Sequence, residues 1–153
     1  MDKKDEKLLT LLQENSRTSL KLLGKKIGLS IDSTKKRIEK LKKLGIICRF
    51  GISIDPKALG YDVVADNKIK LSHMTNQDRE KFISYLSGHP NCIELIAISG
   101  DYDFTCVLIA EDTMTFNELM FDIRERFNEI ISEWKSSFNL QVYKFEKYNF
   151  KSS

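Results

Sequence analysis

Two short amphipathic segments joined by a Gly-Leu-Ser tripeptide at residues 28–30 constrain the fold of this chain more than any other feature. They lie within residues 20–49, LKLLGKKIGLSIDSTKKRIEKLKKLGIICR. Glycine ends a helix readily because it adopts the left-handed conformation, and serine starts the next helix by accepting an amide hydrogen bond. Thr34, Ile38 and Leu41 recur at helical spacing, so they should face inward. The pattern predicts two helices that meet at a tight turn, a helix-turn-helix.

Basic side chains are concentrated in the same stretch. Between Arg17 and Arg49, eleven lysines and arginines are accompanied by only two carboxylates, Asp32 and Glu39. Residues 1–60 carry 15 Lys and Arg against 7 Asp and Glu, a net charge of +8, whereas residues 61–153 carry 10 against 15, a net charge of −5. This division predicts that the first half of the chain meets a polyanion and the second half does not. The alternative is a lysine-rich helix surface that is only solvated.

Local signals place three helices in the first half of the chain. Residues 2–14 carry an apolar stripe of leucines, Ser19 should cap the second helix, and Gly45 should end the third. The following residues 46–54, IICRFGISI, alternate between apolar and polar, which predicts a strand pair, or wing, after the helix-turn-helix. Asp55-Pro56 and Leu59-Gly60 then interrupt regular structure and predict a domain boundary at Gly60, which separates domains 1–60 and 61–153.

The second half predicts strand, helix, strand, strand, helix and strand, a ferredoxin-like βαββαβ order, so that the fold class is α+β. We expect strands at 63–71, 92–98 and 104–110 and a last strand that opens at Phe138. One helix should start at Thr75 or Asn76, and Thr113 should cap the other. The strands at 92–98 and 104–110, taken as the middle strands, are apolar on both sides, yet two helices cover only one face. A second copy of the chain is therefore expected to cover the other face. The alternative is that these residues are simply good strand formers.

Several classes of protein lack support in the sequence. No stretch approaches the roughly 18 unbroken apolar residues of a membrane span, and no secretory signal is expected. Cys48, Cys92 and Cys106 are odd in number and lack CxxC spacing, which predicts reduced thiols and a cytoplasmic protein. His89 and Cys92 form one close pair, but a structural zinc site needs four ligands. With no catalytic triad or Walker loop, we predict no catalytic residue, no metal and no cofactor.

A set of short motifs runs through both halves. Its members are Asp5 with Leu8, Leu9 and Leu12; Gly28-Leu29-Ser30; Arg37, Leu41 and Gly45-Ile46-Ile47; Asp55-Pro56 and Leu59-Gly60; and Gly100-Asp101-Tyr102-Asp103. In this order and at these spacings, the chain resembles the feast/famine (Lrp/AsnC) family of prokaryotic transcription regulators over nearly its whole length. The resemblance implies a winged helix-turn-helix joined to a regulation-of-amino-acid-metabolism (RAM) domain. It also implies assembly through the RAM domain into homodimers and often octamers, and in many members a small amino-acid effector near the Gly-x-x-Asp turn.

The expected nucleic-acid partner is double-stranded DNA. A twofold dimer presents two recognition helices to successive major grooves, about 34 Å apart on one face of the duplex. The residues expected at base edges are Asp32, Ser33, Lys36 and Lys40. Those expected at phosphates are Lys25, Lys26, Lys42, Lys43 and Arg49, with Arg37 along the DNA backbone and with Lys21, Ser30 and Lys35 completing the interface.

An effector site is expected at residues 100–103. Gly100 lets the backbone turn, Asp101 and Asp103 can accept hydrogen bonds from an α-ammonium group, and Tyr102 lies between them. The alternative is an ordinary β-turn whose aspartates cap their own amides. Where the family often has small, threonine-rich residues between the last helix and the last strand, this chain has Glu-Trp-Lys-Ser-Ser-Phe at 133–138, a departure that bears on amino-acid binding.

Two rival functions remain open on the same architecture. Sirohaem decarboxylases look like this family and use histidines near a tetrapyrrole, but this chain has only His73 and His89, both in predicted loops. The other rival is an amino-acid-binding scaffold that does not contact DNA. A decarboxylase has no use for the cationic third helix, which favours DNA binding.

Overall fold

A computed structural model describes residues 1–150, which form two compact units. One unit combines Met1–Ser53 with residues 143–150, and the other is Ile54–Val142. The first boundary lies after Ser53, where the sequence predicts it at Gly60. A second boundary, after Val142, was not predicted, because it results from contacts between the end of the chain and its beginning. None of the helices within residues 1–150 is long and apolar enough to cross a membrane.

Three helices form the first unit: α1 is Lys3–Glu14, α2 is Leu20–Ile27 and α3 is Ile31–Lys43. Ser19 accepts a hydrogen bond from the amide of Leu22, as predicted. Buried leucines from all three helices make one small core, which contains Leu8, Leu23 and Leu41. The turn from α2 to α3 runs through Gly28 in the left-handed conformation, with φ of 69°. This confirms the predicted helix-turn-helix.

The predicted wing is wrong for this chain. Gly45 adopts the left-handed conformation after α3, as expected, but residues 46–54 form no strand within the described part of the chain. Phe50, Ile52 and Ile54 are exposed there. An isolated two-stranded hairpin is marginal in water, and Ile47 packs against the leucine core whereas the later apolar residues of the segment do not. The alternation therefore does not produce a strand pair within one chain.

Residues 143–150 pack against the helical unit. The side chain of Gln13 on α1 donates a hydrogen bond to the carbonyl of Tyr148 at 3.0 Å and accepts one from its amide at 2.8 Å. Phe150 packs against the leucine core. These contacts join residues that are 135 positions apart, so no local pattern predicts them.

The second unit is a four-stranded antiparallel sheet with two helices. Its elements are a short 3-10 helix at Lys57–Leu59, β1 Val63–Leu71, α4 Asn76–Gly88, β2 Cys92–Ala97, β3 Phe104–Ala110, α5 Thr113–Arg126 and β4 Ile131–Phe138. The strand order is β2-β3-β1-β4. Phe82 and Leu86 from α4 and Phe116 and Ile123 from α5 pack into one core with the sheet. This confirms the ferredoxin-like βαββαβ fold.

Two boundaries in this unit correct the sequence-based predictions. Asp112, not Thr113, caps α5, because its carboxylate accepts a hydrogen bond from the amide of Thr115 at 2.7 Å. The last strand ends at Phe138 instead of opening there. Residues 133–138 consequently lie inside β4, where the serines obscure the alternation of apolar residues.

The middle of the sheet also differs from the prediction. β1 pairs with both β3 and β4, so β1 and β3 are central and β2 is an edge strand. On the sheet face opposite the helices, the half formed by β2, β3 and the start of β1 mixes apolar and polar residues. Val64 lies opposite Ile109, Val107 lies between Asp66 and Glu94, and Ile96 lies opposite Thr105. The other half of this face, on β1 and β4, carries charged residues, which are Lys68, Lys70, Glu133 and Lys135. The open face is therefore apolar only in part, and one of its apolar residues, Ile109, is already buried within the single chain.

Candidate nucleic-acid interface

The recognition helix α3 is attached to the core by one face. Thr34 and Leu41 are fully buried, and Ile38 is half-buried between them. The opposite face is exposed and bears Asp32, Ser33, Lys36, Lys40 and Lys43. The spacing of apolar residues therefore correctly separated the inward face from the exposed one.

Hydroxyl groups organise the start of α3. Ser30 accepts a hydrogen bond from the amide of Ser33 at 3.2 Å and donates its own proton to the Ser33 hydroxyl at 2.9 Å. The Thr34 hydroxyl donates to the carbonyl of Ser30 at 2.8 Å. Ser30 is thus occupied as the helix cap, whereas the Ser33 hydroxyl proton is free to reach a partner in solution.

Unpaired cations surround this helix. The exposed basic residues are Lys21, Lys25, Lys26, Lys35, Lys36, Lys40, Lys42, Lys43 and Arg49. None of them forms an ion pair with a carboxylate in residues 1–150. All belong to the helical unit, although Arg49 lies on the irregular segment after α3 and not on a wing strand. Free ammonium groups at this density make a surface suited to a polyanion.

Arg37 has a different environment from the lysines. Its Nη1 lies 2.7 Å from a carboxylate oxygen of Asp2 and 2.6 Å from one of Asp5. The hydrogen bonds that Arg37 donates, to Asp5 first and then to Asp2, raise the pKa of Arg37. The amide of Asp5 and the guanidinium lower the pKa of Asp2. Arg37 is therefore engaged inside the helical unit, a role that sequence reasoning missed.

The turn at 100–103 is partly committed to the fold. Gly100 has φ of 120°, as the predicted turn requires. Asp103 accepts a hydrogen bond from the amide of Leu71 at 2.7 Å, and Tyr102 donates one to Glu133 at 3.0 Å. Asp101 is exposed and makes no hydrogen bond or ion pair with any described residue. Of the two aspartates predicted to hold an ammonium group, Asp103 already uses one carboxylate oxygen for the fold, whereas both oxygens of Asp101 have no partner among the described residues.

Glu133 connects this turn to β4. Its carboxylate lies 3.0 Å from the ammonium of Lys135, which also sits over the ring of Tyr102 at 5.3 Å from the centroid. Lys135 first, and then Tyr102, lower the pKa of Glu133. The cluster anchors Tyr102 to the charged half of the open sheet face.

Two family models match the chain. The model of the AsnC-type helix-turn-helix domain covers residues 1–42, which contain α1, α2 and most of α3. The model of the Lrp/AsnC ligand binding domain covers residues 67–148, which contain most of the sheet unit.

Full-length relatives extend these matches. The HTH-type transcriptional regulator Ptr1 of Methanocaldococcus jannaschii is 31% identical over 120 residues, 78% of this chain and 79% of that protein. The leucine-responsive regulatory protein of Rhizobium meliloti is 28% identical over 122 residues, 80% of this chain and 78% of that protein.

Solved structures resemble the whole chain. The structure of Escherichia coli AsnC, at 25% identity, covers 97% of both chains with a TM-score of 0.81. A Neisseria meningitidis transcriptional regulator in complex with L-Met has the same fold at 23% identity, with a TM-score of 0.85 over 95% of this chain and 93% of that one. From the two family models and the relatives that span both units, this chain belongs to the Lrp/AsnC family of transcriptional regulators.

Proposed function

We propose that this chain regulates transcription by binding double-stranded DNA, with α3 in the major groove. The observation that carries the proposal is the exposed face of α3, whose lysines have no ion-pair partner within residues 1–150. The similar proteins are named as transcriptional regulators, which supports a regulatory function for this chain and does not favour the decarboxylase alternative. A regulator of this kind acts in the cytoplasm, where bacterial and archaeal DNA is located.

Two groups of side chains have different roles in this interface. Those on the exposed face of α3, namely Asp32, Ser33, Lys36 and Lys40, are assigned to base edges. Lysine donates to guanine O6 and N7, and aspartate accepts from cytosine N4. The cations around them, namely Lys21, Lys25, Lys26, Lys35, Lys42, Lys43 and Arg49, are assigned to phosphates, where they add affinity without sequence preference.

We expect DNA affinity to fall steeply with salt, because each neutralised phosphate releases condensed counterions. The double substitution Lys25→Gln and Lys26→Gln should reduce the slope of log K against log salt by about 2, equally for all duplexes. Fluorescence anisotropy with a duplex that the protein selects from a random pool measures this slope. Arg124→Gln on α5 is the control and should leave it unchanged. A wild-type slope near zero would exclude electrostatic DNA binding.

A second copy of the chain is expected to cover the apolar residues on the open sheet face. Val64, Ile96, Val107 and Ile109 would pack across a twofold axis, which makes the interface isologous. A dimer also presents two copies of α3, as a pseudo-palindromic operator requires. Dimers can assemble further into octamers, as the family resemblance implies.

A small amino acid is the effector that the turn at 100–103 fits best. Asp101 can accept hydrogen bonds from an α-ammonium group, and the amides of Asp101 and Tyr102 donate to no backbone acceptor among the described residues. Such amides can hold an α-carboxylate. The L-Met complex of the Neisseria regulator supports this class of ligand.

We expect one of the standard L-amino acids to raise the thermal midpoint of the sheet unit. An amino-acid concentration of 100 times Kd adds about 2.7 kcal/mol to the free energy of unfolding. This corresponds to a rise of several degrees in the thermal midpoint. Differential scanning fluorimetry across all twenty amino acids measures the shift. Asp101→Asn should abolish it, whereas Asp122→Asn, an exposed carboxylate on α5, should not. A screen in which no amino acid shifts the midpoint would remove the effector role.

A further inference from the structure

Arg37 lies between the two faces of α3. Neighbouring residues on a helix are about 100° apart, so Lys36 points toward the exposed face while Arg37 points beside Thr34 and Leu41. The Arg37 side chain is 29% exposed. Its position therefore permits either an edge contact with DNA or a contact inside the unit, and its partners distinguish these roles.

Those partners are the two residues that cap α1. Asp2 uses Oδ1 to accept the amides of Lys4 and Asp5, each at 2.9 Å, and uses Oδ2 for Arg37. Asp5 uses Oδ2 to accept the amide of Asp2 and Oδ1 for Arg37. Each carboxylate thus gives one oxygen to the start of α1 and the other to α3. The Asp5 side chain is only 6% exposed, so Arg37 compensates a charge that water cannot reach.

A further contact ties the start of α1 to the helix-turn-helix. The ammonium of Lys4 donates a hydrogen bond to the carbonyl of Gly28 at 3.2 Å. Gly28 is the left-handed residue between α2 and α3. The first turn of α1 consequently contacts both the turn and the middle of α3.

We propose that Arg37 is a positioning residue that sets the orientation of the recognition helix, and not a DNA contact. The proposal rests on the DNA-binding function proposed above. Two carboxylates share the single guanidinium, so the Asp2–Asp5–Arg37 cluster carries a net negative charge and offers little attraction to a phosphate. Base readout by Lys36 and Lys40 depends on hydrogen-bond geometry, which a tilt of α3 disrupts. Loss of the cluster should therefore weaken binding to the preferred sequence more than binding to any sequence.

Two substitutions separate positioning from phosphate contact. Asp2→Asn keeps a good helix cap but weakens the attraction to Arg37, and it removes a negative charge. Simple electrostatics predicts that this variant binds DNA more tightly, whereas loss of positioning predicts weaker binding to the preferred sequence. Arg37→Gln removes the guanidinium. Glu39→Gln on α3 is the charge-matched control for Asp2→Asn, and Lys25→Gln is the phosphate-contact comparison for Arg37→Gln.

The experiment measures affinity of the full chain for a wild-type-selected duplex and a random duplex across a salt series, well below each thermal midpoint. We expect Arg37→Gln to bind the selected duplex about tenfold more weakly with an unchanged salt slope, and Asp2→Asn about fivefold more weakly. Affinity for the random duplex should stay within twofold. Lys25→Gln should reduce the slope by about 0.9, and Glu39→Gln should not weaken binding.

Two results would overturn the positioning role, and a third would refute the function on which it rests. If Arg37→Gln reduces the slope of log K against log salt by about 0.9, and Asp2→Asn binds DNA more tightly, Arg37 contacts a phosphate. Lower thermal midpoints with both affinities unchanged would show that the cluster only stabilises the fold. A wild-type protein without salt-dependent binding would refute the DNA-binding function itself, which is a separate failure. If Arg37→Gln does not fold, Asp2→Asn still decides between the first two outcomes.

Discussion

Replacing Asn67 by Leu should lower the free energy of unfolding of the sheet unit by about 3 kcal/mol, although leucine has a similar size and the site is fully buried. The side-chain amide of Asn67 donates to the carbonyls of Ala65 and Cys106, at 2.9 and 3.3 Å. Its oxygen accepts from the indole of Trp134 at 3.1 Å and from the Ser136 hydroxyl at 2.6 Å. Leucine removes every one of these bonds and leaves buried polar groups short of partners.

Urea unfolding followed by fluorescence measures this loss, because Trp134 is the only tryptophan in the chain. Asn117→Leu, an exposed position on α5, is the matched control and should change stability by less than about 0.5 kcal/mol. A further variant, Asn67→Asp, buries a carboxylate against two carbonyl oxygens, which raises its pKa in the folded state. Stability of this variant should therefore fall as pH rises above about 4, where the unfolded carboxylate ionises. If Asn67→Leu has the same free energy of unfolding as the wild type, the hydrogen-bond network around Asn67 contributes nothing to stability.

The Asn67 network marks a limit of prediction from sequence. In the structure Asn67 lies on the same face of β1 as Ala65 and Ile69, toward the core. Apart from Ala65 on the same strand, its partners come from β3 and β4, up to 69 positions away. Local signals such as the Ser19 and Ser30 caps involve residues within three positions, so sequence reasoning identified them. The position of β4 depends on pairing with β1, and its serines look like loop residues.

The arrangement of the candidate nucleic-acid interface was predictable in part. Helical spacing separates the buried side chains of α3 from the exposed lysines, and burial confirms that division. Arg37 lies at the border, where spacing alone cannot choose between DNA and a carboxylate. From the sequence, Asp2 and Asp5 are favourable charges near the start of α1. Their ion pairs with Arg37 depend on how α1 packs against α3, which the sequence does not show. For the same reason no local signal predicts the contact of Gln13 with Tyr148.

Replacing Gly24 by Ala should lower the free energy of unfolding of the helical unit by about 2 kcal/mol, even though alanine is the better helix former by about 1 kcal/mol. A Cβ atom at this position would lie 2.6 Å from the carbonyl oxygen of Leu29 and 3.1 Å from the Thr34 hydroxyl. The first contact is with backbone, so it cannot be relieved by rotating a side chain. The amide of Leu29 also donates to the carbonyl of Gly24 at 2.9 Å, which fixes this close approach.

Relief of the clash requires α2 to move away from the turn that precedes α3, so Gly24→Ala should also weaken binding to the selected duplex. Chemical denaturation followed by circular dichroism measures stability, and anisotropy measures affinity. The control is Gly88→Ala at the end of α4, where no atom lies within 4 Å of the added methyl group and no loss is expected. If Gly24→Ala instead raises the free energy of unfolding by the gain in helix propensity, and DNA affinity is unchanged, the turn adapts to a methyl group. The packing of α2 against this turn would then not determine the position of the recognition helix.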